Sequence, residues 1–311
     1  MGDEERGLAC MFHMMNEAHR GVGLGAAMLG AGYACALALQ QGDGRAAPWG
    51  HAEAGPTTPP VPILEHADVR RMLLAQKAYA EGATALLLYC ARLVDEQRTG
   101  DADAAREATL LLELLTPVAK SWPSEWCLEA NSLAMQVLGG YGYARDFAVE
   151  QLWRDNRLNM IHEGAHGIHG LDLLGRKVLM EGGAALGALA ARTADTAARA
   201  RAVPSLAAHA DALDRAVAAV GAATAAAWST RDPEAALANA TPYLQAFGHT
   251  VVAWIWLDVA LAATRVDSDL ARGKAHAAQF FFRYELPRVD AWLGVVASRD
   301  DTCRAMADGW W

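Results

Sequence analysis

Nowhere along these 311 residues do β-branched residues alternate with polar ones; alanine and leucine dominate instead. A strand buried on one face needs a period of two, whereas a packed helix needs apolar residues every three to four positions. Val69, Leu73, Leu74, Tyr79 and Ala80 follow the helical period. Alanine and leucine are strong helix formers, so the chain is expected to be all-α. With 53% hydrophobic residues it can fill a core, in one large domain or two modest ones.

Punctuation divides the chain. A first helix is expected from about Glu5 to Gln40, ending at Gln41-Gly42-Asp43-Gly44. Five prolines between Ala46 and Pro62 then exclude regular structure. A second helix is expected from about His66 to Gln97. A third, from Ala104 to about Leu138, should be kinked or broken near Trp122, because it contains Pro117 and Pro123. Short helices are expected at 147–158 and 164–181. After Gly182 the alanine-rich stretch 183–228 suits packed antiparallel helices. Asp232-Pro233 marks a helix start, followed by helices at 233–265 and 269–297. The division is thus 1–182 and 183–311, two helical bundles in series.

The net charge of −9, with basic residues scattered among acids, argues against a nucleic-acid partner. Five cysteines without CxxC spacing read as reduced thiols of a cytoplasmic protein. The uncharged run Gly21–Leu39 approaches the length of a membrane span. Its leader is acidic, and Gly21, Gly23, Gly25, Gly30 and Gly32 equally suit close helix packing. A buried helix, and no membrane span, is the expectation.

Three motifs lie between Gln136 and Arg176. His162-Glu163-Gly164-Ala165-His166 fits the zinc-binding HExxH pattern, in which two histidines one turn apart hold the metal. That arrangement needs a regular helix, which Gly164 and Gly167 weaken, so no metal site is expected. Gly139-Gly140-Tyr141-Gly142-Tyr143 taken alone is a helix C-cap and turn, without the strand–turn–helix setting of a dinucleotide fingerprint. Glu150 and Arg154, four residues apart, should pair along a helix.

Together, GGYGYARDFAVEQLWRDNRLNMIHEG resembles the flavin and active-site segment of the acyl-CoA dehydrogenase family. MFHMMNEAHRGVG, PILEHADVRRMLLAQKAYAEG and LLELLTPVAKSWPSEWCLEAN resemble helices of its C-terminal helical domain. NATPYLQAFGHTVVAWIWLDVALAA and GKAHAAQFFFRYELP resemble the helical extension of one subgroup, which includes enzymes acting on 3-methylmercaptopropionyl-CoA. The resemblance implies a four-helix-bundle domain followed by a helical extension. The family's N-terminal helical and middle β domains have no counterpart in these residues.

It also implies FAD as cofactor and an acyl-CoA thioester as substrate. Glu163 fills the position of the base that removes the α-proton while the β-hydrogen leaves as hydride to the flavin. The glutamate's backbone N–H and the flavin ribityl chain would steady the developing enolate. Gly164 would let backbone approach the substrate closely, and burial of Glu163 would raise its pKa toward that of a useful base. Gln136, Gly139 and Gly140 fall where the family contacts FAD across a subunit boundary, which implies a homo-oligomer. An electron-transfer flavoprotein would be the acceptor.

Several positions depart from the family pattern. His19 stands where an arginine is expected, and Leu39-Gln40-Gln41-Gly42-Asp43 replaces an arginine-bearing segment, leaving Arg45 nearby. Ala165 replaces a threonine and His169 a glutamine. Two readings follow. One is the C-terminal half of a dehydrogenase, active with a partner chain that carries the missing domains. The other is a non-catalytic helical interaction subunit or truncated relic of that family.

Overall fold

A computed structural model describes residues 62–311 apart from Glu163 and Arg231. The expected first helix, the uncharged run, nearly all of the proline-rich loop and the departures at 19–45 therefore lie outside the described residues. Ten α-helices and several short turns make up the rest, with no strand among the described residues.

Helices α1 (Ala67–Thr99) and α2 (Ala102–Leu138) form a long hairpin around Gly100 and Asp101. The Asp101 carboxylate accepts the Ala104 N–H at 2.9 Å, capping α2. Against expectation, α2 is not broken but continues through both prolines. Pro117, Trp122 and Pro123 are buried, and the Trp122 ring packs edge-on against Tyr79 of α1 with centroids 6.1 Å apart, so the proline-bearing stretch lies inside the core. The Thr116 and Ser124 hydroxyls donate to the Leu112 and Lys120 carbonyls, each at 2.7 Å, within the same turns.

After α2 come a 3₁₀ turn (Gly139–Tyr143), α3 (Val149–Arg157), a second 3₁₀ turn (Leu158–Met160) and α4 (His166–Gly175). The helix expected to reach 181 stops at Gly175. Arg176 leaves the helical region at φ −131°, and Glu181 and Gly182 take left-handed values of +48° and +68°. Within this link Lys177 is buried, and its ammonium is bonded to Glu113 of α2.

The second half begins with α5 (Ala184–Arg201) and α6 (Ala207–Ala227). Asp232 starts α7 (Pro233–Leu237) as the sequence indicates, its carboxylate accepting the Glu234 and Ala235 N–H groups. The expected helix 233–265 divides there: Asn239 departs from helical geometry, donates its side-chain amide to the Asp300 carbonyl at 2.8 Å, and precedes α8 (Ala240–Ala263). The expected helix 269–297 also divides, into α9 (Asp269–Phe280), a π turn (Phe281–Glu285) and α10 (Arg288–Ser298). Pro287 has no N–H for the helical ladder, and Leu286 N–H reaches back five residues to the Phe281 carbonyl at 2.9 Å.

One hydrophobic core runs from α1 to α10, across the link at 177–183. Helix α8 is its axis. Trp256 donates its indole N–H to the Ala78 carbonyl at 3.1 Å, and a Cβ at Gly82 would stand 2.8 Å from that nitrogen. Trp122 donates to His249 Nδ1 at 3.1 Å inside a ring of Trp126, Phe281 and Trp292. Burial lowers the His249 pKa. By length and composition α8 could cross a membrane, with a mean hydropathy of 1.5 in its most apolar window, yet 78% of that window is buried within the protein. It is the core helix of this fold.

Candidate functional site

The site segment hangs from the C-terminal end of α2. Gly139 ends that helix with φ +62°, its N–H bonded to the Gln136 carbonyl, as a C-cap glycine should. Gly142 is required by contact: a Cβ there would lie 2.4 Å from the Met135 carbonyl oxygen. Gly140 differs, since no atom lies within 4 Å of the place its Cβ would take. Gln136, Gly139 and Gly140 are all exposed. Three of the proposed contact residues thus sit together, with open backbone beside them.

Buried amides anchor the next stretch. Asn156 of α3 is fully buried and donates to Asn131 of α2 at 2.9 Å; Asn159 donates to Asn156 at the same distance. Lys120 of α2 donates to the Asn159 carbonyl at 2.5 Å, and burial lowers its pKa. Glu150 and Arg154 pair at 2.9 Å along the outside of α3, as their spacing predicts.

Beyond this anchor the chain turns through Ile161, His162 and Gly164 into α4. Glu163 lies outside the described residues. Gly164 has φ +108°, and a Cβ there would stand 2.9 Å from His169 Nε2. That nitrogen lies 3.1 Å from the Gly164 carbonyl oxygen, so the tautomer that bonds carries its proton on Nε2. Burial first, then the charges of Lys120, His169 and Arg157, push His166 down to about 4. His166 is therefore neutral at pH 7, and its Nε2 finds no hydrogen-bond partner among the described residues.

The HExxH pattern does not lie on one helix. His162 occupies a turn, α4 begins only at His166, and the left-handed Gly164 stands between them. Among the described residues no three His, Cys, Asp or Glu side chains are grouped to share a metal ion.

Val149 is buried against α2, but several other large apolar side chains of this segment are exposed. Tyr143 is 83% exposed, and Tyr141, Leu158, Ile161, Ile168 and Leu171 are exposed as well. A monomer rarely presents so many apolar side chains in one short segment without something to cover them. Lys120, Asn131, Asn156 and Asn159 brace this segment from behind, and no sequence motif marks them. Their only signal was the three-residue spacing of Asn156 and Asn159, which is unremarkable on a helix surface.

The described residues thus form an all-helical protein whose 139–171 segment is ordered from behind and presents exposed apolar side chains. Residues 56–179 match the acyl-CoA dehydrogenase C-terminal domain, and residues 185–307 match the acetyl-CoA dehydrogenase C-terminal-like family. The chain belongs to the acyl-CoA dehydrogenase family, matching its C-terminal half. It is 34% identical over 291 residues to 3-methylmercaptopropionyl-CoA dehydrogenase of Ruegeria pomeroyi, covering 88% of this chain and 46% of that protein. A butyryl-CoA dehydrogenase of Syntrophomonas wolfei is 30% identical, covering 91% and 48%. The fold is similar to that of the acyl-CoA dehydrogenase of Bacillus anthracis complexed with FAD, with a TM-score of 0.74 at 16% identity, over 95% of this chain and 50% of that one. The chain spans about half the length of the relatives it matches.

Proposed function

We propose that this chain forms one wall of an FAD site for α,β-dehydrogenation of an acyl-CoA thioester. Glu163 is the α-proton base, and the family's N-terminal helical and middle β domains, whichever polypeptide carries them, complete the site. Membership of the family supports the reaction class. The observation that carries the reading is the outward-facing wall itself. The backbone beside Gly140 is open, and Tyr141, Tyr143, Leu158, Ile161, Ile168 and Leu171 are exposed.

The open space beside Gly140 fits a planar, phosphate-bearing group approaching backbone, and exposed Gln136 adds an amide at its edge. FAD, when bound, supplies the acceptor for the β-hydride. The residues of this chain do the rest. Gly164 allows the turn that brings Glu163 to the substrate. His169 holds the Gly164 carbonyl, and Lys120 with the three asparagines fixes the preceding turn. The Glu163 carboxylate takes the α-proton while its N–H steadies the thioester oxygen. Homo-oligomerisation, an electron-transfer flavoprotein as acceptor and a cytoplasmic location belong to the same reading. A relative of partial overlap, from Acetobacterium woodii, is named as a subunit of a caffeyl-CoA reductase–Etf complex.

The test is co-expression with the N-terminal half of a full-length relative. Flavin absorbance in the purified complex, bleached by an acyl-CoA, is the expected result. Glu163→Gln should abolish bleaching and leave flavin bound. Flavin bleaching that persists in Glu163→Gln would remove the base assignment. A second reading, a non-catalytic helical subunit, draws on Ala165 and His169 standing where the family pattern has threonine and glutamine. It predicts a stable helical oligomer that takes up no flavin with any partner half.

A further inference from the structure

Helices α1 and α9 enclose a cleft of about 280 Å³, built from residues other than those assigned to the flavin and acyl-CoA site. Arg70 and Arg71 line it from the first turns of α1; His276 and Arg283 line it from α9 and the π turn. Among the described residues no acidic side chain lines it, in a protein of net charge −9. Two carboxylates interact with Arg71: Asp68, paired with it at 2.7 Å, and Glu129, whose pKa burial raises while Arg288 and Arg71 lower it. Arg70 is oriented by its ε N–H, which donates to the Leu64 carbonyl at 2.7 Å. Arg70 and Arg283 make no ion pair among the described residues.

The same cleft carries a flat apolar face. Phe280 and Tyr284 stack with ring centroids 4.6 Å apart and planes 10° from parallel, and Tyr284 is exposed. Gln279 stands beside them, a side chain that both donates and accepts. Guanidinium groups match the bidentate geometry of phosphate, and a planar aromatic face accepts a base of any identity. Phosphate alone would not use the aromatic pair, and a base alone would not use three arginines.

We propose that this cleft binds a nucleoside phosphate, with the phosphates on Arg70 and Arg283 and the base against Tyr284. The inference is independent of the flavin reading, since it uses none of the residues in that site. The experiment is isothermal titration of the full 311-residue chain with ADP, adenosine and inorganic pyrophosphate. ADP should bind saturably and more tightly than either fragment. Arg283→Ala and Arg70→Ala should each weaken ADP by about tenfold or more, the effect expected for one charge-assisted hydrogen bond. Tyr284→Ala should weaken ADP and leave pyrophosphate unchanged. All three positions are exposed, so thermal melts of the variants should match the parent. Three results would overturn the proposal: no ADP binding, ADP binding unaltered by both arginine variants, or pyrophosphate binding as tightly as ADP. The second would place ADP at another site, such as the flavin wall.

Discussion

Helix α8 and the segment from Gly139 to Leu171 handle apolar side chains in opposite ways. Around α8, Trp256, Phe247 and Tyr243 are almost wholly enclosed, and even His249 is buried among aromatic rings. In the site segment Tyr141, Tyr143, Ile161 and Ile168 stand in the open, though the backbone behind them is fixed by buried amides. Stability and function therefore occupy separate surfaces. The interior is closely packed, while the exposed wall is ordered by polar contacts from α2 and has no cover among the described residues.

The sharpest way to break this contrast is to empty the interior. Trp256→Ala removes a side chain 1% exposed and its bond to Ala78, and should cost about 4 kcal/mol in denaturant unfolding. Gly142→Ala tests the hinge between the two regions. Its new Cβ would meet Met135 backbone, so the turn must shift, at a cost of roughly 2 kcal/mol. Circular dichroism should show the helices intact, while any flavin uptake with a partner half should fall.

A smaller effect concerns protons. The His166 pKa is depressed to about 4, below its ordinary value near 6.5. Between these values the unfolded chain binds more protons than the folded one. Stability is then full above about pH 6.5 and is lost as pH falls toward 4. His249, also lowered, acts in the same direction. The melting temperature should fall through this window, and His166→Gln should flatten part of the slope. Smallest of all, Tyr143→Ser should shift stability by no more than about 0.5 kcal/mol, because the ring is 83% exposed. A larger loss would mean that the wall supports the fold, and the contrast would fail.

Much of this was legible from residue order. The period of Val69, Leu73 and Leu74, the start at Asp232-Pro233 and the Glu150–Arg154 pair are local signals, and each appears where the sequence puts it. The glycine break in HExxH is local too. The errors came from tertiary contacts. Pro117 and Pro123 read as a kink or a break, and the break does not occur: α2 continues through both, which lie buried in the core. Asn239 ends one helix by bonding Asp300, 61 residues away, which no local pattern announces. Lys120 braces the 158–160 turn through a bond to the Asn159 carbonyl, 39 residues away, which no local pattern announces either. Position 163, on which the chemistry rests, is legible only through the family motif around it.

The bond between Trp256 and Ala78 joins residues 178 apart in sequence. During translation, α1 and α2 leave the ribosome long before α8 exists to cover them. At about 5–20 residues per second the wait is on the order of 10–35 s. For that interval the apolar sides of the hairpin, Tyr89 and Trp122 among them, lack the α8 rings of Trp254 and His249 that they pack against in the fold. The nascent chain is thus a natural client for a chaperone that shields helical hairpins, and its yield in cells should follow chaperone supply more closely than its final stability.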